Sequence, residues 1–237
     1  MIKMKDFIII KNVLLVSTKE NKNLIDIPDL QFDKNSISVI MGHNGSGKTL
    51  LLNLLQGLIT PNSGSIRFNP QIKNYKNFIS IMMQKPTFLR RTTQQNIQFI
   101  LDLNKNKSRM SFLEVLERFD LVPQRNILAN KLSGGEKQRL SLALATSINS
   151  RILLLDEPTA NADPLTTFRI EKIIKEEASA GKKIILVTHS IAQAKRLGQD
   201  LIFINNGKVL EQNKAKKFFT QSKTKEIVQF LKGEIIL

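Results

Sequence analysis

A chain of 237 residues exceeds the usual ~100 to 200 of one domain without reaching two comfortable ones, which predicts a single core carrying inserted subdomains. It has no cysteine and only two histidines, so disulfides and thiolate zinc are excluded and any metal must be held by oxygen. The formal net charge of +16 favours an anionic neighbour, yet the lysines are scattered from Lys3 to Lys232 and no aromatic base-stacking motif is present, so no specific nucleic acid is expected as a partner.

The opening Met1-Ile2-Lys3-Met4-Lys5 with Phe7-Ile8-Ile9-Ile10 begins like a signal peptide, but Lys11-Asn12 cuts the apolar stretch too early for an h-region, and it reads as short strands. No run approaches the ~18 apolar residues of a membrane-spanning helix, so a cytoplasmic chain is expected, unable by itself to form a passage through a bilayer. Short runs rich in isoleucine and valine alternate with longer helical patterns. Strands are predicted near Phe7 to Val16, Ser36 to Met41, Phe78 to Met83, Arg151 to Leu155, Lys183 to Thr188 and Leu201 to Ile204. Helices are predicted over Lys48 to Leu58, Glu136 to Ser147, Pro164 to Ala180 and Ile191 to Leu197. This alternation implies an α/β fold with a largely parallel sheet. Between Pro86 and Ser133 the β-branched alternation disappears, and Phe112, Val115, Leu116 and Phe119 fall at helical spacing, which predicts an inserted helical subdomain. Asn205-Asn206-Gly207 reads as a tight hairpin, followed by a lysine-rich helical tail.

Gly42-His43-Asn44-Gly45-Ser46-Gly47-Lys48-Thr49 matches G-x-x-x-x-G-K-[ST] and lies between a predicted strand and a predicted helix, where a phosphate-binding loop has to sit. Glycines let the backbone wrap around phosphate oxygens, the helix N-terminus adds partial positive charge, and Lys48 is placed to reach the β and γ phosphates. Thr49 supplies a hydroxyl for Mg²⁺, which takes its remaining ligands from phosphate and water. His43 occupies a variable position of this loop and carries no catalytic expectation.

Ile152-Leu153-Leu154-Leu155 delivers Asp156 and Glu157 at the C-terminal end of a strand, where open α/β sheets bind their ligands. Asp156 is the natural partner of Mg²⁺, through water or directly, and Glu157 is placed to face a water in line with the γ-phosphate. Asp163 before Pro164 reads as a helix cap. Leu132-Ser133-Gly134-Gly135-Glu136-Lys137-Gln138-Arg139 opens an amphipathic helix and forms a second anion-seeking helix end, which makes sense if it serves a nucleotide on another subunit.

With these motifs in this order the sequence resembles the ATP-binding cassette (ABC) family, whose signature is Leu-Ser-Gly-Gly-Gln. The resemblance implies an ATP- and Mg²⁺-dependent hydrolase in a P-loop NTPase fold, with a RecA-like core, an antiparallel β subdomain and an inserted helical subdomain. Residues 1–85 and 141–212 are assigned to the core and β subdomain, 86–140 to the helical subdomain and 213–237 to the tail. Two cassettes are implied to face head to tail, each nucleotide lying between one phosphate loop and the partner's Ser133, Gly134, Gly135 and Glu136. Gln84 resembles the Q-loop glutamine that senses Mg²⁺ and the attacking water, and His189 the switch histidine. Glu136 replaces the usual glutamine. The D-loop reads Ala160-Asn161-Ala162-Asp163, keeping its aspartate and shortening its leucine. No aromatic occurs in Leu15 to Lys19 to stack on adenine, and Phe7 and Phe32 look misplaced for it.

Gln84-Lys85-Pro86-Thr87-Phe88-Leu89-Arg90-Arg91-Thr92 with Asn96-Ile97 resembles tungstate-type importer cassettes, as do Gln193 to Leu197 and Phe230 to Glu234. That implies a peripheral subunit on the cytoplasmic face of the membrane, acting on a permease and, indirectly, an extracytoplasmic substrate-binding protein. Phosphate and molybdate importers are close competitors. The segment after Gln84 is either solvated surface or the dock for the permease's coupling helix, through Phe88, Leu89 and Arg90. A soluble ABC ATPase acting on DNA or the ribosome is disfavoured by the lack of coiled-coil insertions and of a second cassette. A non-catalytic adaptor is disfavoured by Glu157 and His189.

Overall fold

The computed structural model describes residues 6–17, 22–69, 78–103, 110–160 and 162–234. The chain divides into two compact units, one of Met1–Asn77 with Lys183–Leu237 and one of Phe78–Lys182.

The first unit opens with strands β1 (Asp6–Ser17), β2 (Lys22–Asp33) and β3 (Ile37–Met41), helix α1 (Lys48–Gln56) and strand β4 (Ser63–Phe68). β1 pairs antiparallel with both β2 and β4, giving the order β2-β1-β4. Lys11-Asn12, polar and exposed, does not end β1. Asn12 takes a left-handed φ of 50°, and the register with β4 shifts between Lys11 and Leu14. Gly64 closes the other side of that irregularity, since a Cβ there would lie 2.1 Å from the Asn12 carbonyl oxygen. Ile25, Ile27, Leu30 and Phe32 of β2 are buried, and Pro28 is tolerated because β2 is an edge strand with no donor needed on its outer side.

The second unit contains β5 (Ile79–Met82), helices α2 (Thr93–Leu103), α3 (Phe112–Arg118) and α4 (Gly134–Ser147), strand β6 (Ile152–Asp156) and helix α5 (Pro164–Ser179). β5 and β6 run parallel, with Met82 opposite Leu155. α4 buries Leu140, Leu142, Ala143 and Ala145, and α5 buries the stripe Ile170, Ile173 and Ile174, as helix-period patterning requires.

The chain returns to the first unit with β7 (Lys183–Val187), α6 (Ile191–Leu197), β8 (Asp200–Asn205), β9 (Lys208–Lys214), α7 (Ala215–Gln221) and α8 (Lys225–Lys232). β3 lies parallel between β7 and β8, and β9 returns antiparallel along β8. Every residue of β3, β6 and β7 is buried, so their near-continuous apolar runs are those of parallel strands covered on both faces. Asn206 and Gly207 make the two-residue turn between β8 and β9 with φ of 47° and 75°, the left-handed pair a tight hairpin requires.

Candidate functional site

In the first unit three adjacent parallel strands deliver loops at neighbouring C-terminal ends: the phosphate loop after β3, His189 after β7 and the Asn205–Gly207 turn at the end of β8. Thr188 N–H bonds the Ile40 carbonyl at 3.2 Å, so His189 emerges beside the strand that leads into the loop. His189 is exposed. The next residue caps α6, the Ser190 hydroxyl accepting from Gln193 N–H at 3.2 Å.

The loop is built around backbone that needs glycine. Gly45 and Gly47 take φ of 77° and 105°, and Gly47 is the left-handed cap from which α1 starts. Lys48 is 8% exposed, and its ammonium donates to the Gly42 carbonyl at 2.9 Å and the His43 carbonyl at 2.7 Å. The Ser46 hydroxyl is buried inside the loop without a hydrogen-bond partner. A loop whose lysine is held by its own carbonyls, with an orphaned hydroxyl beside it and a helix N-terminus behind it, suits a polyphosphate with many acceptor oxygens. Thr49 is exposed at the first turn of α1, and Asn44 and Gly45 at the loop tip.

In the second unit β5 and β6 end side by side, so Gln84, two residues past β5, and Asp156 with Glu157, ending β6, emerge from the same edge. Gln84 is exposed, whereas Asp156 and Glu157 are buried. Glu157 has a φ of 50°, a left-handed backbone that costs an ordinary L-residue about 1 to 2 kcal/mol and that clusters at functional sites. Its carbonyl accepts from Ala160 N–H at 3.0 Å, closing the turn that leads away from β6.

The signature segment sits at the start of α4. Ser133 is the N-cap in a reciprocal box with Glu136: its N–H donates to Glu136 Oε2 at 2.7 Å, and its hydroxyl accepts from Glu136 N–H at 3.4 Å. Desolvation pushes the Glu136 carboxyl up, but the Ser133 backbone and side chain, the Arg139 charge and Gln124 together hold it below the usual carboxylate range. Glu136 is therefore an anion at neutral pH at a helix end disposed to receive one.

Asp163 caps α5 as expected, Oδ1 accepting from Thr166 N–H at 2.9 Å and Oδ2 from the Thr166 hydroxyl at 2.6 Å; these bonds hold its carboxyl low. A Cβ on Gly135 would lie 3.3 Å from Thr166 Oγ1 and 3.7 Å from Asp163 Oδ2, so the signature turn and the D-loop aspartate pack together. Arg139 ties them, its Nη1 donating to Thr166 Oγ1 at 3.3 Å and its Nη2 to the Asp120 carbonyl at 3.4 Å. Nothing in the sequence signals this role of Arg139 and Thr166 beyond their positions in the two motifs. Asn161 of the D-loop, and Thr18 and Lys19 of the segment lacking an aromatic, lie outside the described residues. Phe7 and Phe32 are 5% and 0% exposed, core residues rather than stacking platforms for a base.

The ABC transporter family model matches residues 25–160, more than half of the chain. The chain belongs to the ABC transporter family. Among curated relatives the cassette is 36% identical over 193 residues to the tungstate uptake system ATP-binding protein TupC of Peptoclostridium acidaminophilum, covering 79% of this chain and 90% of the relative. It is 32% identical over 228 residues to the phosphate import ATP-binding protein PstB of Malacoplasma penetrans, covering 87% of this chain and 79% of that one. It is 29% identical to the L-cystine import ATP-binding protein TcyC of Bacillus subtilis, covering 90% of this chain and 92% of TcyC. The dimeric post-hydrolysis structure of the cassette MJ0796 with ADP and Pi superposes with a TM-score of 0.77 at 26% identity, covering 88% of this chain and 98% of that chain. The cassette is thus an ATP-binding, ATP-hydrolysing transporter subunit. Its first unit carries the phosphate loop and His189; its second carries Gln84, the signature, Asp156, Glu157 and Asp163. Among the described residues no helix is long and apolar enough to cross a membrane.

Proposed function

We propose that this cassette is the motor of an importer for tungstate or a related oxyanion, working as a head-to-tail homodimer on the cytoplasmic face of the membrane. It drives a separate permease, to which an extracytoplasmic binding protein brings the substrate. The observation that carries the motor reading is the phosphate loop, with Lys48 held on the loop's own carbonyls and the Ser46 hydroxyl unpartnered. On ATP binding, Lys48 exchanges the Gly42 and His43 carbonyls for phosphate oxygens, and the partner's Ser133, Gly134, Gly135 and Glu136 close over the γ-phosphate. Thr49, Asp156 and Gln84 would be the chain's oxygen donors to a Mg²⁺ ion or its waters, and the ion would supply positive charge against the phosphates. Glu157 takes the proton of the attacking water, and His189 orients that water and the γ-phosphate. Catalysis is then positioning and charge stabilisation by groups fixed beforehand.

The permease dock is assigned to the segment after Gln84. Leu89 and Arg90 are exposed there and Phe88 is half-buried, and the buried Asn96 side chain pins the segment, accepting from Leu89 N–H at 3.0 Å and donating to the Leu89, Arg91 and Thr92 carbonyls. An exposed apolar and basic loop held rigid from below suits reception of a partner's helix.

Support for tungstate comes from the Gln84 to Thr92 segment and the resemblance to TupC; the resemblance to PstB supports phosphate as the second reading. Uptake of tungstate, molybdate and phosphate, measured in cells lacking this chain and after its restoration, decides between them. Tungstate uptake should fall selectively and return on restoration. Unaffected tungstate uptake with lost phosphate uptake replaces the first reading by the second.

A further inference from the structure

We infer that the β8–β9 turn is part of the nucleotide site, with Asn205 and Gly207 as positioning residues that clamp the phosphate loop from behind. The inference rests on the reading of that loop as an ATP site.

Three contacts fasten the loop to this turn, all within the first unit. A Cβ on Gly42 would lie 2.1 Å from the Ile204 carbonyl oxygen, so the first loop residue is pressed directly on the end of β8. The His43 ring then points at that strand rather than into the loop: Nε2 lies 2.6 Å from Asn205 Oδ1, and Nδ1 lies 2.6 Å from the Asn44 carbonyl. With Nδ1–H donated to the Asn44 carbonyl, Nε2 is the acceptor, and the Asn205 amide donates to it with its NH₂ turned inward. Further on, Gly207 N–H donates to the Ser46 carbonyl at 2.9 Å. The turn is itself anchored, because the Gly207 carbonyl accepts from Asp26 N–H of β2 at 2.9 Å. Space specifies glycine at 207, where a Cβ would lie 2.3 Å from the Leu24 carbonyl oxygen, and the backbone φ of 105° specifies it at 47.

A phosphate loop binds through backbone groups, so its affinity depends on how little it must be ordered when the ligand arrives. His43, at a variable position of the motif, supplies the one side-chain tether between loop and turn among these contacts. Releasing it loosens the loop in the free protein without removing any group that touches phosphate.

The test is a double-mutant cycle of Asn205→Ala and His43→Ala, with Asn205→Gln as the conservative variant. MgATP hydrolysis gives KM and kcat, a fluorescent ATP analogue gives affinity, and melting of the nucleotide-free protein monitors the fold. Asn205→Ala should raise KM and weaken the analogue by about two- to tenfold, the worth of one net hydrogen bond, with kcat within about twofold. Asn205→Gln, which keeps an amide NH₂ for the ring, should restore KM, and Asn205→Ala should add nothing in the His43→Ala background. Unchanged KM in Asn205→Ala, or effects that sum in the double variant, overturns the clamp. Lys48→Ala serves as a separate control: if it leaves analogue binding intact, the ATP-site reading fails, whatever the cycle gives.

Discussion

Lys183, the first residue of β7, is wholly buried, and replacing it with methionine should stabilise the protein in a pH-dependent way. Its ammonium donates to Ser36 Oγ and Ser38 Oγ, each at 2.6 Å, and lies 5.7 Å from the centre of the Phe32 ring. Among the described residues no carboxylate touches it. Asp200 is reached through the Ser38 hydroxyl at 3.5 Å, and Asp33 and Asp200 are both engaged by Lys214. Burial therefore outweighs the attraction of Asp200 and Asp33, with the Lys214 charge acting in the same direction as burial, and the Lys183 pKa falls from 10.5 to about 7. Between pH 7 and 10.5 the unfolded chain holds this proton while the folded chain sheds it, so stability rises with pH across that window. The penalty is complete below pH 7 and gone above 10.5. At ~1.4 kcal/mol per pH unit the whole penalty is ~5 kcal/mol, about 4 of it felt at pH 7. Lys183→Met removes it and loses two hydrogen bonds worth ~1 kcal/mol each, while Ser36 keeps the Asp33 carbonyl as acceptor and Ser38 keeps Asp200. Urea unfolding of the nucleotide-free protein should find the variant more stable by ~2 kcal/mol at pH 7, with the advantage gone by about pH 9.5. A difference between the two proteins that stays constant from pH 7 to 9.5 would refute the reasoning, because Lys183 would then titrate as an exposed lysine does.

Glu157→Gln should retain ATP binding, trap the dimer and lower turnover by ~10² to 10⁴-fold in a steady-state ATPase assay, whereas near-normal hydrolysis removes Glu157 as the base. Glu136→Gln takes one negative charge from the helix end that, in the proposed head-to-tail dimer, meets the partner's γ-phosphate. In the Glu157→Gln background it should tighten the ATP-driven dimer severalfold by sedimentation, with the gain shrinking at high salt. With Phe7 and Phe32 committed to the core, ATP and GTP should compete within about tenfold for hydrolysis, since stacking worth ~1 kcal/mol is missing. Strong ATP preference contradicts that.

Legibility in the sequence followed the physics of each element. The strands β3, β6 and β7 were plain because burial on both faces demands unbroken apolar runs. β2 was missed because Pro28-Asp29 imitates a turn and only its edge position makes it tolerable. β4 was missed because Ser63-Gly64-Ser65 carries little strand propensity; Gly64 is there to fit against β1. α2 escaped notice although Thr92 and Gln95 form a reciprocal cap, Gln95 N–H to Thr92 Oγ1 at 3.3 Å and Thr92 N–H to Gln95 Oε1 at 3.0 Å; that T-x-x-Q pattern was the available signal. The motif residues stand out by spacing because phosphate chemistry fixes their order, and their roles belong to the proposed function. The His43–Asn205 tether and the Arg139–Thr166 contact do not stand out, since they join segments far apart in sequence through shape alone.

The backbone at Glu157 has a consequence for how such a chain would drift. A glutamate there is held against its own torsional preference, and glycine or asparagine would relax the turn at once. A cassette that merely opened and closed on nucleotide, with no water to activate, would recover that backbone strain by the exchange. On the proposed role of Glu157 as the base, the strain at this turn is the cost of placing a carboxylate at the end of β6.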